Sequence, residues 1–69
     1  MDDQKRIEIV NKLLKDNHIT TAERQNFIVK NGAIFDDSNF NVDICDNDDV
    51  FIHNRGAYPV VLKNYGNLI

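Results

Sequence analysis

The chain has no tryptophan, one cysteine, one serine, one proline and three glycines in 69 residues. A lone Cys45 cannot form an internal disulfide, which excludes the stapled scaffold of a small secreted domain and makes a reducing cytoplasm the expected setting. Nucleophilic catalysis is short of parts, with only Ser38, Cys45, His18 and His53 to draw on. Ser38 sits in Asp36-Asp37-Ser38-Asn39, a polar turn, and Cys45 ends an alternating segment where a small half-buried thiol is ordinary. Gly32, Gly56 and Gly66 are too scattered for a phosphate-cradling loop. No apolar run approaches the roughly 18 residues of a membrane span, and no signal-peptide stretch follows the N-terminal Met-Asp-Asp-Gln-Lys-Arg.

What is present is enough for one small core. Hydrophobic residues make up 42% of the chain, which argues against disorder, and the length allows a single domain, 1–69. A domain of this size buries only about 60% of its unfolded surface, so its stability is marginal without help. Ten asparagines and eight isoleucines suggest AT-rich coding, as in a low-GC bacterium or its phage.

Charge divides the chain into three. Residues 1–32 carry five acids and six bases; residues 33–49 carry six aspartates and no base; residues 50–69 carry Arg55 and Lys63 and no acid. The sums are +1, −6 and +2, giving the net −3. Hydropathy changes period at the first of these boundaries. Before it, Ile7, Val10 and Leu14 recur at helical spacing, widened by Ile9 and Leu13, and predict a helix from about Asp3 to Asp16. Asp2 and Asp3 suit the positive end of that helix dipole, and Lys12 and Lys15 the negative end. A second helix is expected from about Thr21 to Asn31, with Thr20 and Glu23 forming a capping box and Phe27 and Ile28 facing the first helix. Leu13-Leu14-Lys15-Asp16-Asn17-His18-Ile19 is echoed by Ile28-Val29-Lys30-Asn31-Gly32-Ala33-Ile34. The echo reads as one helix-ending device used twice, with Asn17 and Gly32 as the left-handed residues.

After Gly32 the period is two. Phe40, Val42 and Ile44 alternate with Asn41, Asp43 and Cys45 as a half-buried strand; Val50 to His53 is a second strand and Tyr58 to Lys63 a third. Ile34-Phe35 could add a short fourth. Asp46-Asn47-Asp48-Asp49 is the first turn and Asn54-Arg55-Gly56-Ala57 the second, with Gly56 expected to be left-handed. Pro59 has no N–H, so the third strand is expected at an edge, or to begin there. Residues 64–69 read as a tail that is loose or docked through Tyr65, Leu68 and Ile69. The fold class is α+β: a helical hairpin over 3–31 packed on a three-stranded antiparallel meander over 40–63, in the order ααβββ. Two registers suit the first hairpin. A four-residue loop pairs Ile44 with Phe51 and Val42 with His53; a one-residue change pairs Ile44 with Ile52 and Asp43 with His53.

Candidate chemistry follows from these placements. Asp46-Asn47-Asp48-Asp49 gathers oxygen ligands, but Phe51 and Ala57 stand where an EF-hand needs Gly and Glu, so a solvated turn is the simpler reading. Asp43 with His53 would give only a two-ligand metal site, so no metal and no cofactor is expected. Acid–base work by Asp36, Asp37 and the 46–49 turn would need a sizeable apolar pocket that so short a chain rarely encloses. The six aspartates Asp36, Asp37, Asp43, Asp46, Asp48 and Asp49 would instead steer a basic protein partner and repel phosphate. Two helices followed by a hairpin outline a winged helix-turn-helix, for which Arg24, Gln25, Asn26, Lys30 and Arg55 are the nucleic-acid contacts, although the sequence pI of about 5.1 lacks a basic footprint.

Leu13-Leu14-Lys15-Asp16-Asn17-His18-Ile19-Thr20, with Glu23 and Phe27, resembles the short helical hairpin of SHOCT-type modules. The resemblance spans residues 10–31, under a third of the chain, and departs from the family where Asn17 replaces the usual Gly and Ala22 a second acid. It implies oligomerisation or tethering rather than catalysis. The reading from sequence is a small non-enzymatic protein-binding module, a regulator or inhibitor of a host protein of the kind phages and mobile elements carry. Apolar residues on both faces of the sheet, of which one helix pair can cover one, predict a homodimer.

Overall fold

The computed structural model describes residues 3–30 and 41–69, with the backbone alone at 29 and 30. Two helices, α1 (Asp3–Lys15) and α2 (Thr21–Lys30), precede three strands, β1 (Val42–Ile44), β2 (Val50–Ile52) and β3 (Val60–Leu62), and a 3-10 turn, η1 (Tyr65–Leu68). The strands form one antiparallel sheet in the order β1-β2-β3. This is the ααβββ arrangement that the change of period predicts. Gly32, Ile34, Phe35, Asp36, Asp37 and Phe40, and with them the second helix ending and the possible fourth strand, lie outside the described residues.

The helix ends form as their residues dictate. Asn17 is left-handed at φ 64°. Behind it the His18 N–H donates to the Leu13 carbonyl at 2.8 Å and the Asn17 N–H to that of Leu14 at 3.1 Å, the two bonds of a Schellman ending. Three residues on, at Thr20, the capping box is reciprocal. The Glu23 N–H donates to Thr20 Oγ1 at 3.1 Å and the Thr20 N–H to Glu23 Oε1 at 2.9 Å. Together these turn the chain between two helices that would be marginal alone at 13 and 10 residues.

The core joins every layer: Ile9, Val10 and Leu13 from α1, Ile19 from the turn, Phe27 from α2, Val42 and Ile44 from β1, Val50 and Ile52 from β2, and Tyr65 from η1. The buried stripe of α1 is therefore Ile9–Val10–Leu13, with Ile7 and Leu14 only half-buried. This corrects the Ile7–Val10–Leu14 centre read from spacing. The helix is flanked by η1 as well as α2, and that second neighbour rotates the covered face.

Neither expected hairpin register occurs. The pairs are Val42–Ile52, Asp43–Phe51 and Ile44–Val50. The turn is a three-residue loop of Asp46, Asn47 and Asp48, closed by the Cys45 N–H on the Asp49 carbonyl at 2.9 Å and the Asp48 N–H on the Cys45 carbonyl at 3.0 Å. Asp48 takes the left-handed position at φ 73° that completes such a loop. This register sets all four buried side chains, Val42, Ile44, Val50 and Ile52, on one face; the alternative that pairs Ile44 with Phe51 and Val42 with His53 would have set Phe51 and His53 on that face instead. His53 lies across from Asn41, so the Asp43–His53 metal pair does not form.

In the second turn Gly56 takes the expected positive φ, at 121°, and Asn54 is left-handed as well, at φ 60°. Pro59 immediately precedes β3, and β3 is an edge strand, as its missing N–H requires. The tail is docked: Tyr65 and Gly66 are buried, and η1 packs on α1.

The hydrogen-bond phase of the sheet fixes what its β3 edge presents. The Cys45–Asp49 bond and the His53 N–H on the Asn41 carbonyl at 2.7 Å mark alternate bonded pairs, so Asp43–Phe51 lies in the same phase. Phe51 thus turns its backbone groups to β1, and Val50 and Ile52 turn theirs to Leu62 and Val60. Val61 is left with its N–H and carbonyl pointing away from β2.

Candidate functional site

The polar side chains gather in two clusters, and both tie separate parts of the chain together. The first is built on the acidic loop and the tail. An aspartate at 49 can accept from a following N–H while Asn47 orders the loop: the Asp49 N–H donates to Asn47 Oδ1 at 3.1 Å, and Asp49 Oδ1 accepts the Asn64 N–H at 2.8 Å. The Gly66 N–H donates to the Asp48 carbonyl at 2.9 Å. Lys5 Nζ stands 3.0 Å from Asp48 Oδ1, close enough for ionic attraction without the alignment of a hydrogen bond. At the far end of α1 the Tyr65 hydroxyl donates to Asp16 Oδ2, which also accepts from Lys12 Nζ at 3.0 Å. Lys12 lies 5.4 Å from the centre of the Tyr65 ring, and the His18 ring meets it edge-on at 5.6 Å. The Tyr65 bond, then Lys12, hold the Asp16 carboxyl below its ordinary range. Burial, reinforced by the Asp16 carboxylate, raises the Tyr65 hydroxyl.

The second cluster joins the start of α2 to the second turn. Glu23 Oε1 accepts from Arg55 Nη2 at 2.7 Å and Oε2 from Asn41 Nδ2 at 2.7 Å. Asn54 Nδ2 donates to Asn41 Oδ1, and Arg55 reaches the carbonyls of His18 and His53, each at 3.3 Å. Partial burial opposes ionisation of Glu23. The bonds from Arg55, Asn41 and the Thr20 N–H, with the charge of Arg55, outweigh it and hold the carboxyl at about 2.

These ties redistribute the residues singled out by sequence. Of the acidic set, Asp48 and Asp49 are half-buried and engaged with Lys5 and Asn64, Asp43 and Asp46 are exposed, and Asp36 and Asp37 lie outside the described residues. Of the nucleic-acid set, Arg55 is bound to Glu23, and Arg24 Nε donates to Asn11 Oδ1 of α1 at 2.7 Å. Gln25 and Asn26 are exposed on α2, and Lys30 ends that helix. Among the described residues no three His, Cys, Asp or Glu side chains gather to hold a metal, and no helix is long and apolar enough to cross a membrane.

Sequence reasoning named Tyr65 as a docking residue of the tail but missed the Tyr65–Asp16 bond and the Glu23–Arg55 pair. Both are long-range, 49 and 32 residues apart from their partners, and no local spacing announces them. The outward chemistry that remains is the exposed pair Asp43 and Asp46, and a run of exposed apolar side chains, Tyr58, Val60 and Val61, with Leu68 and Ile69 at the end of the tail. Comparison with family models, with curated proteins and with solved structures finds no match for this chain.

Proposed function

We propose that the chain is a small non-enzymatic protein-binding module that regulates or inhibits its target, and that a basic surface on the partner meets Asp43 and Asp46. The observation behind this reading is which acidic groups face outward. Asp16, Glu23, Asp48 and Asp49, with Lys5, Lys12 and Arg55, are engaged in holding the fold together. Asp43 and Asp46 are exposed, Asp43 on the edge strand β1 and Asp46 at the hairpin tip. Exposed carboxylates of this kind act on association rate more than on stability. The winged-helix reading loses ground because Arg24 and Arg55, two of its contacts, have partners inside the molecule.

The test uses Asp43→Asn with Asp46→Asn. Affinity capture with mass spectrometry first supplies a partner, and association is then followed at low and high salt. The double variant is expected to fold normally, to associate more slowly, and to show a flatter salt dependence. Equal rates and slopes for both forms remove the acidic surface from the proposal.

A further inference from the structure

We infer that β3 is a self-pairing edge, through which two copies of this chain join antiparallel about a twofold axis centred on Val61. The inference gives the protein-binding reading a second surface, distinct from Asp43 and Asp46. Three observations carry it. First, Val61 directs both its N–H and its carbonyl away from β2, and no strand among the described residues meets that side. An antiparallel bonded pair exchanges both groups, so Val61 facing Val61 of a second copy satisfies all four with one symmetry operation. Pro59 has a carbonyl but no N–H, so a twofold axis centred there could not make that exchange, and one centred on Lys63 would set two lysines opposite each other.

Second, the side chains agree with the backbone. Tyr58 is 83% exposed, Val61 44% and Val60 38%. The pairing sets Val60 against Leu62 of the other copy on the helix-covered face, and Val61 against Val61 on the other. There it joins Asp43–Phe51–Val61 of each copy into one row with the aspartates at its two ends. Third, charge allows the approach. Each copy carries −3, yet Ala57 to Leu62 is an uncharged run, and the pairing holds the two Lys63 side chains four strand positions apart, beyond the range at which surface charges act strongly in physiological salt. A strand of this length buries less than the roughly 800 Å² per partner of a standard interface, so the dimer belongs to the weak, concentration-dependent class.

Sedimentation equilibrium over about 20 to 800 μM, with amide chemical shifts followed on dilution, tests this directly. The expected result is a reversible dimer, with the Val61 amide among the most concentration-dependent. Val61→Lys, at an exposed position, is expected to keep the fold and weaken association at least about tenfold. Val61→Pro removes an N–H that β2 does not use; where it folds it should be monomeric. Asp43→Asn, at the opposite edge, should change nothing. A monomer throughout the range overturns the inference. So does a dimer that Val61→Lys leaves within about twofold of the parent, or one whose largest shifts fall on β1. None of these outcomes depends on the Asp43–Asp46 partner being found.

Discussion

Asparagine and aspartate do in this chain what glycine does elsewhere. Asn17, Asp48, Asn54 and Asn64 all hold positive φ, between 58° and 73°, where a short polar side chain tolerates the left-handed region best among non-glycine residues. Asn17→Ala should therefore cost about 1 kcal/mol and Asn17→Gly little or nothing, read as paired shifts in thermal midpoint. Thr20→Ala removes one half of the capping box and should also cost about 1 kcal/mol, or roughly 4–8 °C in a domain of this size. Gly66 carries a different constraint. A β-carbon there would stand 2.8 Å from Asp48 Oδ1, 3.0 Å from Asp48 Cβ and 3.1 Å from Ile9 Cδ1. Gly66→Ala should thus destabilise by about 1–3 kcal/mol through overpacking. Glu23 makes the fold acid-sensitive with a defined sign. Its carboxyl is lowered from 4.5 to about 2, so the unfolded chain takes up a proton first. The stability it supplies is complete above about 4.5 and declines as pH falls toward about 2. Glu23→Gln should flatten the fall in urea midpoint across that window.

At the scale of elements, the acidic hairpin loop is a clasp. Asp49 receives the Asn64 N–H and Asp48 receives that of Gly66, so the loop holds the tail against α1. Asp49→Ala should lower stability by about 1 kcal/mol by leaving that N–H without its acceptor, while Asp43→Ala, at an exposed position of the edge strand, should stay within about 0.5 kcal/mol of the parent. Chemical denaturation of the two variants checks the contrast. The helices were legible in sequence because their signals are local: Thr20 with Glu23, Asn17 after Lys15, apolar spacing of three and four. The strands were legible as a change of period. The hairpin register was not, because it turns on Asp48 adopting a left-handed conformation, and an Asp-Asn-Asp-Asp string offers several positions for it. Asn17 was legible as a helix-ending residue, but the left-handed roles of Asn54 and Asn64 were not, since turn residues of this type offer several positions for that conformation. The aspartates were visible too, but their use as internal acceptors depends on where the tail lies, and that is a tertiary fact.

At the scale of the whole molecule, the two polar clusters do for this chain what disulfides do in many domains of its size. One ties Asp16 to Tyr65 and the loop at 48–49 to the tail; the other ties Glu23 to Arg55. Between them lies a core whose largest fully buried members are Ile9, Leu13 and Ile52, each of which stabilises by about 1.5–3 kcal/mol through burial. Tyr65 belongs to both systems, its ring in the core and its hydroxyl on Asp16. Tyr65→Phe removes the bond and keeps the ring; Tyr65→Ala removes both and should cost several times as much.

The span of the Tyr65–Asp16 tie also sets an order of events in time. The helical hairpin closes over Asn17 with contacts a few residues apart, and the meander closes over two short turns, whereas the tail reaches back 49 positions to the end of α1. Long-range closure carries the larger chain-entropy cost and comes after the local pieces exist. Removing the Tyr65 hydroxyl should then leave the refolding rate almost unchanged and speed unfolding, while Thr20→Ala should slow refolding, a contrast that stopped-flow chevrons resolve. The tail thus governs how long the native state lasts, and the first turn how quickly it is reached.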